Sequence, residues 1–366
     1  MKTYCTDCNT FGVFDLAVYC CVCGGALEPV IEPGFDKNQI FQKDSSLWRY
    51  ARAILSGSAA NPLRLGAGWT PLLPLTDDGE SPMVKLEYYS PTASFKDRGT
   101  EVEFTILRSM GVDKAVEDSS GNAGASAAAY AARAGIQLKI YAPQSASLAK
   151  ISQIKAFGAE TNLIAGVRQN ATDACLETVK RGICYASHAW NPAYLLGQTT
   201  FAWEIWEQLD YAVPDEIFFP VGQGGLLMGA WLGFQSLLKA KKISRLPRLS
   251  IVQPKNYNPL IRAIHENWEE WQTIPATPSQ ADGLAAARPI RWKRIRQAVV
   301  ESGGRAVSVS EEEINIASQR LAKLGFFVEP SSAVALAGFS VVSKTQYGSK
   351  TIIPLTGSGL KTTQNE

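Results

Sequence analysis

The chain has 366 residues, of which 46% are hydrophobic and 19% charged, with a formal net charge of +2. That length suits two lobes rather than one small core, and that balance supplies no basic field for nucleic acid or an anionic membrane surface. There is no run of 18 apolar residues, and the start, Met1-Lys2-Thr3-Tyr4-Cys5, lacks the apolar stretch of a signal peptide, so a cytoplasmic protein is expected.

Residues 1–28 read as a cysteine-rich head. Five of the seven cysteines fall within the first 23 residues, and in a reducing compartment such clustering points to metal rather than disulfides. Cys5-x-x-Cys8 and Cys20-x-x-Cys23 form paired knuckles, with Gly24-Gly25 after the second. Four thiolates at this spacing can close a tetrahedral zinc site, which makes Cys5, Cys8, Cys20 and Cys23 the candidate ligands. Cys21 is a spare that can replace Cys20, and a metal-free redox pair is the competing reading. A head this short cannot bury a core of its own, so a metal would supply much of its folding energy.

Residues 29–80 are mixed, with Pro and Gly punctuation around Gly68-Trp69-Thr70-Pro71-Leu72. Strand and helix then alternate. The pattern predicts a strand over Met83–Tyr89, a helix over Phe95–Leu107, a short strand over Ala115–Asp118 and an alanine-rich helix over Ala123–Ala134 stopped by Gly135. Strands follow at Leu138–Ala142, Asn162–Ala165 and Ile183–Ala186, with helices at Leu148–Phe157 and Asn170–Lys180 between them. Further on come strands at Glu216–Val221, Leu249–Gln253 and Thr351–Leu355. Ser310 and Glu313 match a capping box for a helix ending at Leu324. Apolar strands separated by helices predict a mostly parallel sheet with helices on both faces. Five basic residues between Gly283 and Arg296 read as a solvated face rather than an anion site.

In such sheets ligands sit at the carboxyl ends of strands, and four motifs fall there. Ser90-Pro91-Thr92-Ala93-Ser94-Phe95-Lys96-Asp97-Arg98-Gly99 follows a strand and opens a helix. The helix N-terminus disfavours an ammonium at Lys96, which suits a Schiff-base lysine; an ordinary helix lysine paired with Asp97 is the alternative. Ser119-Ser120-Gly121-Asn122-Ala123-Gly124 offers backbone N–H groups and hydroxyls to a carboxylate, or is simply a capped turn. Gly222-Gln223-Gly224-Gly225-Leu226 lets backbone amides approach one phosphate; Leu227 stands where a dinucleotide fingerprint needs glycine. Thr356-Gly357-Ser358-Gly359-Leu360-Lys361 brings a hydroxyl to a ring nitrogen, or is a glycine turn. Only two histidines occur, and no G-x-S-x-G elbow points to a serine hydrolase.

Together these segments resemble the threonine synthase branch of the fold-type II pyridoxal-phosphate enzymes. The resemblance runs from roughly residue 65 to 361 and includes Val328-Glu329-Pro330-Ser331-Ser332-Ala333. It implies a two-lobed α/β fold of the tryptophan synthase β type, with a large cofactor-binding lobe from residues 29–85 and 200–366 and a small mobile lobe from 86–199. It further implies that Lys96 holds the cofactor and shuttles protons, and that Phe95 borders the ring. Asn122 would bond the ring oxygen, Gly222, Gln223, Gly224, Gly225 and Leu226 the phosphate, and Thr356 the pyridine nitrogen, with Ser358 a lesser candidate. Ser120, Gly121, Asn122 and Ala123 would hold the substrate carboxylate. The implied activity is a lyase acting on a small amino acid, in a homodimer.

The chain departs from this pattern at His188-Ala189-Trp190-Asn191-Pro192-Ala193-Tyr194, where the family's phosphate-binding run carries Asn-Ser and an arginine. Losing a bidentate arginine puts O-phosphohomoserine in doubt as substrate, and His188 becomes a candidate substrate contact. Ala281-Asp282-Gly283-Leu284-Ala285 and Arg288-Pro289 resemble threonine and serine dehydratases. An ammonia-lyase or a β- or γ-replacement synthase therefore stands beside the synthase-like reading, and a non-catalytic zinc-bearing regulatory protein is the remote alternative.

Overall fold

A computed structural model describes residues 1–32, 36–56, 60–76, 81–146, 148–342 and 350–361. The chain divides into two compact units, Met1–Trp69 with Ser90–Thr200 and Thr70–Tyr89 with Phe201–Glu366. The α/β class with parallel sheets is as expected. Residues 29–69, expected with the large lobe, instead cluster with 90–200. The Leu63 N–H donates to Thr105 Oγ1 (2.9 Å), the Ala67 N–H donates to Glu101 Oε2 (3.2 Å), and Leu63 is buried among Phe104 and Leu107.

The first unit holds a four-stranded sheet in the order Glu160–Ile164, Gln137–Pro143, Lys114–Glu117, Cys184–Tyr185, all parallel. From Lys114–Glu117 the chain first steps outward through two strands, then crosses back to place Cys184–Tyr185 on the other side. Lys114–Glu117 is therefore the switch point, and the loops after Glu117 and Tyr185 emerge next to each other. The helix Asn122–Ala134 presents a run of small residues, Ala125, Ala127, Ala128 and Ala131, to a core that also holds Ile140, Ile151 and Ile154. A separate antiparallel sheet, Phe11–Val13, Lys2–Cys5, Leu27–Pro29, forms the head.

The second unit is built on six strands in the order Ala306–Val309, Arg248–Pro254, Glu216–Pro220, Thr351–Pro354, Met83–Lys85, Leu72–Pro74. All pairs are parallel except the last. The same logic recurs: the loops after Glu216–Pro220 and Thr351–Pro354 leave adjacent strand ends. The strand expected over Met83–Tyr89 stops at Lys85. Lys85 pairs with buried Glu204, and Glu87 accepts from Thr70 Oγ1 (2.8 Å), so both charges are drawn into an interior polar cluster, and Glu87–Tyr89 forms a 3-10 turn. The capping box is present: Ser310 Oγ accepts from the Glu313 N–H (3.2 Å), while Glu313 Oε2 accepts from the Ser310 N–H (2.7 Å).

The basic stretch expected to be a solvated face is only partly so. Arg291 is buried, Arg294 stacks on Trp231 at 4.4 Å, and Arg296 donates to the Trp268 carbonyl (2.7 Å), whereas Arg288 and Lys293 are exposed. The Arg294 guanidinium serves here as a packing surface for an indole ring.

Candidate functional site

Lys96 is the first residue of the helix Lys96–Ser109 and is partly exposed, with its Nζ 4.5 Å from the centre of the Phe95 ring. The turn that delivers it passes through Ala93 at φ +61°, a backbone region that costs an L-residue energy and must be held by its surroundings. Asp97 holds it. Its buried carboxylate accepts from the Thr92 N–H, Thr92 Oγ1 and Ser126 Oγ, each at 2.6 Å. The next turn is packed by Tyr194: a Cβ on Gly99 would lie 2.5 Å from its ring. Gly197 likewise lets the helix Pro192–Gln198 approach the Arg98 carbonyl.

The loop after Lys114–Glu117 and the helix start that follows contain the candidates Ser120, Gly121, Asn122 and Ala123. Gly121 starts the helix Asn122–Ala134 without a side-chain cap, and Gly124 lets that helix close onto the Ser119 carbonyl. Ser120, Gly121 and Asn122 are partly exposed at an N-terminus whose amide dipoles favour an anion. His188 stands beyond the neighbouring strand end, and its Nδ1 lies 2.6 Å from Glu117 Oε1. Burial first, and the Lys96 charge next, hold the imidazole below its ordinary pKa. Burial first, and Asp118 next, push the Glu117 carboxyl well above the carboxylate range. Glu103, fully buried, is raised by burial and then by Glu117.

In the second unit Gly224, at φ +80°, caps the 15-residue helix Gly225–Lys239, again with no side-chain hydrogen bond. A Cβ on Gly222 would lie 3.1 Å from the Leu284 Cα, so the glycine loop and the Ala281–Ala285 segment are packed backbone to backbone. Gln223 Oε1 accepts from the Ile290 N–H (3.4 Å). Thr356 and Ser358 are buried, and the Thr356 N–H donates to Ser332 Oγ (2.6 Å), which ties the Val328–Ala333 segment to the last loop. Each unit by itself carries groups of the kind that fit pyridoxal phosphate: the first a lysine on a braced turn and a glycine-started helix end, the second another glycine-started helix end and a buried hydroxyl after a strand.

The head gathers four of its five cysteines. The Sγ atoms of Cys5, Cys8, Cys21 and Cys23 all lie within 4.8 Å of one another, with Cys5–Cys23 and Cys8–Cys21 at 3.5 Å. Cys21, not Cys20, completes the group. Its N–H donates to the Gly25 carbonyl (2.9 Å) in the second knuckle, while Cys20 is engaged with the neighbouring Tyr19. A zinc ion with Zn–S of about 2.3 Å spaces tetrahedral thiolates about 3.8 Å apart, so the donor set fits. Gly25 is required here, since a Cβ would press on Cys5 Sγ.

Two features escaped the sequence reading. Glu117 ends a four-residue strand that looks like any short buried segment, and its partner lies 71 positions away. An acid at the carboxyl end of a switch-point strand is the signal that could have found it. A cavity of about 590 Å³ opens at the opposite, amino ends of the first unit's strands, lined by Lys114, Gly135, Gln137 and Glu160 among others, and contains none of the candidate residues. Among the described residues, no helix is long and apolar enough to cross a membrane.

Comparison with known proteins places these features in context. The family Pyridoxal-phosphate dependent enzyme matches residues 63–357. The chain is 30% identical over 376 residues to a threonine synthase of Methanocaldococcus jannaschii, covering 99% of this chain and 93% of the relative. It is 34% identical over 308 residues to a threonine synthase of Halalkalibacterium halodurans, covering 82% and 84%. Among solved structures, maize serine racemase superposes with a TM-score of 0.69 at 24% identity over 86% of this chain and 93% of that one. The processed form of threonine deaminase isoform 2 from Solanum lycopersicum gives 0.70 at 23% over 90% and 87%. At these identities the structural likeness speaks for the fold.

Proposed function

Because this chain belongs to the pyridoxal-phosphate dependent enzyme family, as a lyase of the threonine synthase-like kind, we propose that Lys96 binds the cofactor and moves the α-proton of a small amino acid. The observation that carries this is the placement of Lys96 at a helix start on a turn braced by Asp97. Pyridoxal phosphate, when bound, supplies an aldehyde for amines and an electron sink for charge developing at the substrate's α-carbon. Lys96 then serves as base and later as acid at Nζ. Phe95 lines its approach. Gly222, Gln223, Gly224, Gly225 and Leu226 receive the phosphate on uncapped amides. Asn122 donates to the ring oxygen, and Thr356, with Ser358 second, meets the pyridine nitrogen. Ser120, Gly121, Asn122 and Ala123 bind the substrate carboxylate, and His188 contacts its side chain.

Cys5, Cys8, Cys21 and Cys23 hold a structural zinc ion in the head. A homodimer acting in the cytoplasm completes the reading, and sedimentation of the purified protein tests the dimer. For the central claim, borohydride treatment of cofactor-loaded protein followed by peptide mapping should place the pyridoxyl label on Lys96. Lys96→Ala should lose label and turnover while remaining folded. Label on another lysine, or undiminished turnover, refutes the assignment.

A further inference from the structure

Parallel strands Lys114–Glu117 and Cys184–Tyr185 end side by side, and from those ends Glu117 and His188 meet at 2.6 Å. The pair is secluded: the His188 side chain is 11% exposed and that of Glu117 is 1%. The second carboxyl oxygen, Oε2, is buried without a hydrogen bond. An ionised carboxylate left so bare is costly, so the carboxyl is favoured with its proton, shared with Nδ1. Whether that proton rests on Oε1 or on Nδ1, the pair has no net charge and the imidazole keeps its Nε2–H. The pair as a whole is thus a neutral donor through Nε2, and Lys96 lies close enough for its charge to depress the imidazole's pKa.

Resting on the lyase reading above, we propose that His188, with Glu117 behind it, protonates a departing hydroxyl, so that the substrate is an unphosphorylated 2-amino-3-hydroxy acid. Hydroxide leaves poorly unless protonated as it departs, whereas a phosphate ester carries its own stable leaving group. The surroundings point the same way. Residues 188–198 contain no Lys or Arg, and Tyr194, T-shaped to His188 at 6.2 Å, buries a hydroxyl that makes no hydrogen bond. The charges felt at the pair are Lys96 and Arg168 against Asp118, an excess of one positive charge against the two negative charges of a phosphate dianion. A donor-only imidazole also supplies an acid but no second base, which suits departure from the β-carbon rather than the γ-carbon.

The step balances. The α C–H bond breaks and its proton goes to Lys96 Nζ, while its electron pair forms the new C=C bond. The Cβ–O bond breaks, and the oxygen takes the Nε2 proton and leaves as water. The Glu117 proton moves to Nδ1, leaving a carboxylate, and the proton on Lys96 later restores the pair. Water then hydrolyses the dehydrated amino acid to a 2-keto acid and ammonia.

The test uses cofactor-loaded protein. With only two histidines in the chain, a ¹⁵N imidazole spectrum assigned with His265→Asn reads the tautomer directly: Nε2–H is expected, and a bare Nε2 overturns the proposal. In turnover, keto acid from L-serine or L-threonine should exceed phosphate release from O-phosphohomoserine by at least about 100-fold in kcat/KM; preference for the phosphate ester overturns it. His188→Gln should lower kcat on the hydroxy substrate by about 10²–10³. The loss on L-β-chloroalanine, whose chloride needs no proton, should be at least tenfold smaller. Glu117→Gln, which keeps the contact but has no proton to give, should show the same selective loss. Equal losses on both substrates mean a structural role and overturn the proposal. Wild-type protein that binds no cofactor, or converts neither substrate, sinks the underlying lyase reading instead.

Discussion

Glu101, on the helix that begins at Lys96, shows how a single buried acid sets a pH dependence. It accepts from Tyr130 Oη (2.8 Å) and from the Ala67 N–H (3.2 Å), yet burial, its largest influence, raises its pKa to about 7 from an ordinary 4.5. A folded-state pKa above the unfolded one favours the protonated form in the folded protein. Its contribution is fully present below about pH 4.5 and is lost as pH rises through about 7. Urea midpoints at pH 4.5 and 8 should show wild type losing about 3 kcal/mol relative to Glu101→Gln across that window. A constant difference between the two proteins contradicts the assignment. Lys96 could be proposed from sequence because its whole motif is local. Glu101 and Glu117 were not, since what makes them unusual is burial against residues tens of positions away. Cys21 shows the intermediate case: spacing identified the cluster, but only the turn geometry at Gly25 chose between two adjacent cysteines.

At the scale of elements, helix starts differ in whether a side chain closes them. The helix Glu311–Lys323 is closed by its own side chains, and Ser310→Ala should cost about 1 kcal/mol in unfolding free energy. Cofactor affinity should stay unchanged; a shift in affinity would show that this cap reaches the site. The helices at Asn122 and Gly225 start on glycine with no such cap. Gly224→Ala would force an L-residue to φ +80° and drive its Cβ into Ile295, displacing the loop amides. Equilibrium titration should show pyridoxal phosphate bound about tenfold or more weakly; unaltered affinity would remove the loop from the phosphate site. Alternation of apolar strands with helices made most of these elements readable in advance. The early end of the strand at Lys85 was not, because a buried ion pair with Glu204, 119 positions on, decides it.

At the scale of the whole chain, the head is part of the first unit's architecture. Phe14 joins the core that holds Phe104 and Leu107, with Met1 and Leu16 packed against it. Tyr19, next to the second knuckle, meets Tyr185 and Trp190 edge-on at 5.6 and 5.5 Å, and these two residues flank the loop that bears His188. A metal that fixes the knuckles therefore braces that loop through Tyr19, without touching it. Cys21→Ser should release zinc, measured by elemental analysis, while Cys20→Ser should retain one equivalent. Loss from Cys20→Ser alone would restore the ligand set expected from spacing. In Cys21→Ser, hydrogen exchange should rise in residues 186–191 as well as in 1–28, because the aromatic contacts depend on a folded knuckle. If exchange rises only in the head, Tyr19 packs on the loop without stabilising it, and the metal has no mechanical connection to His188.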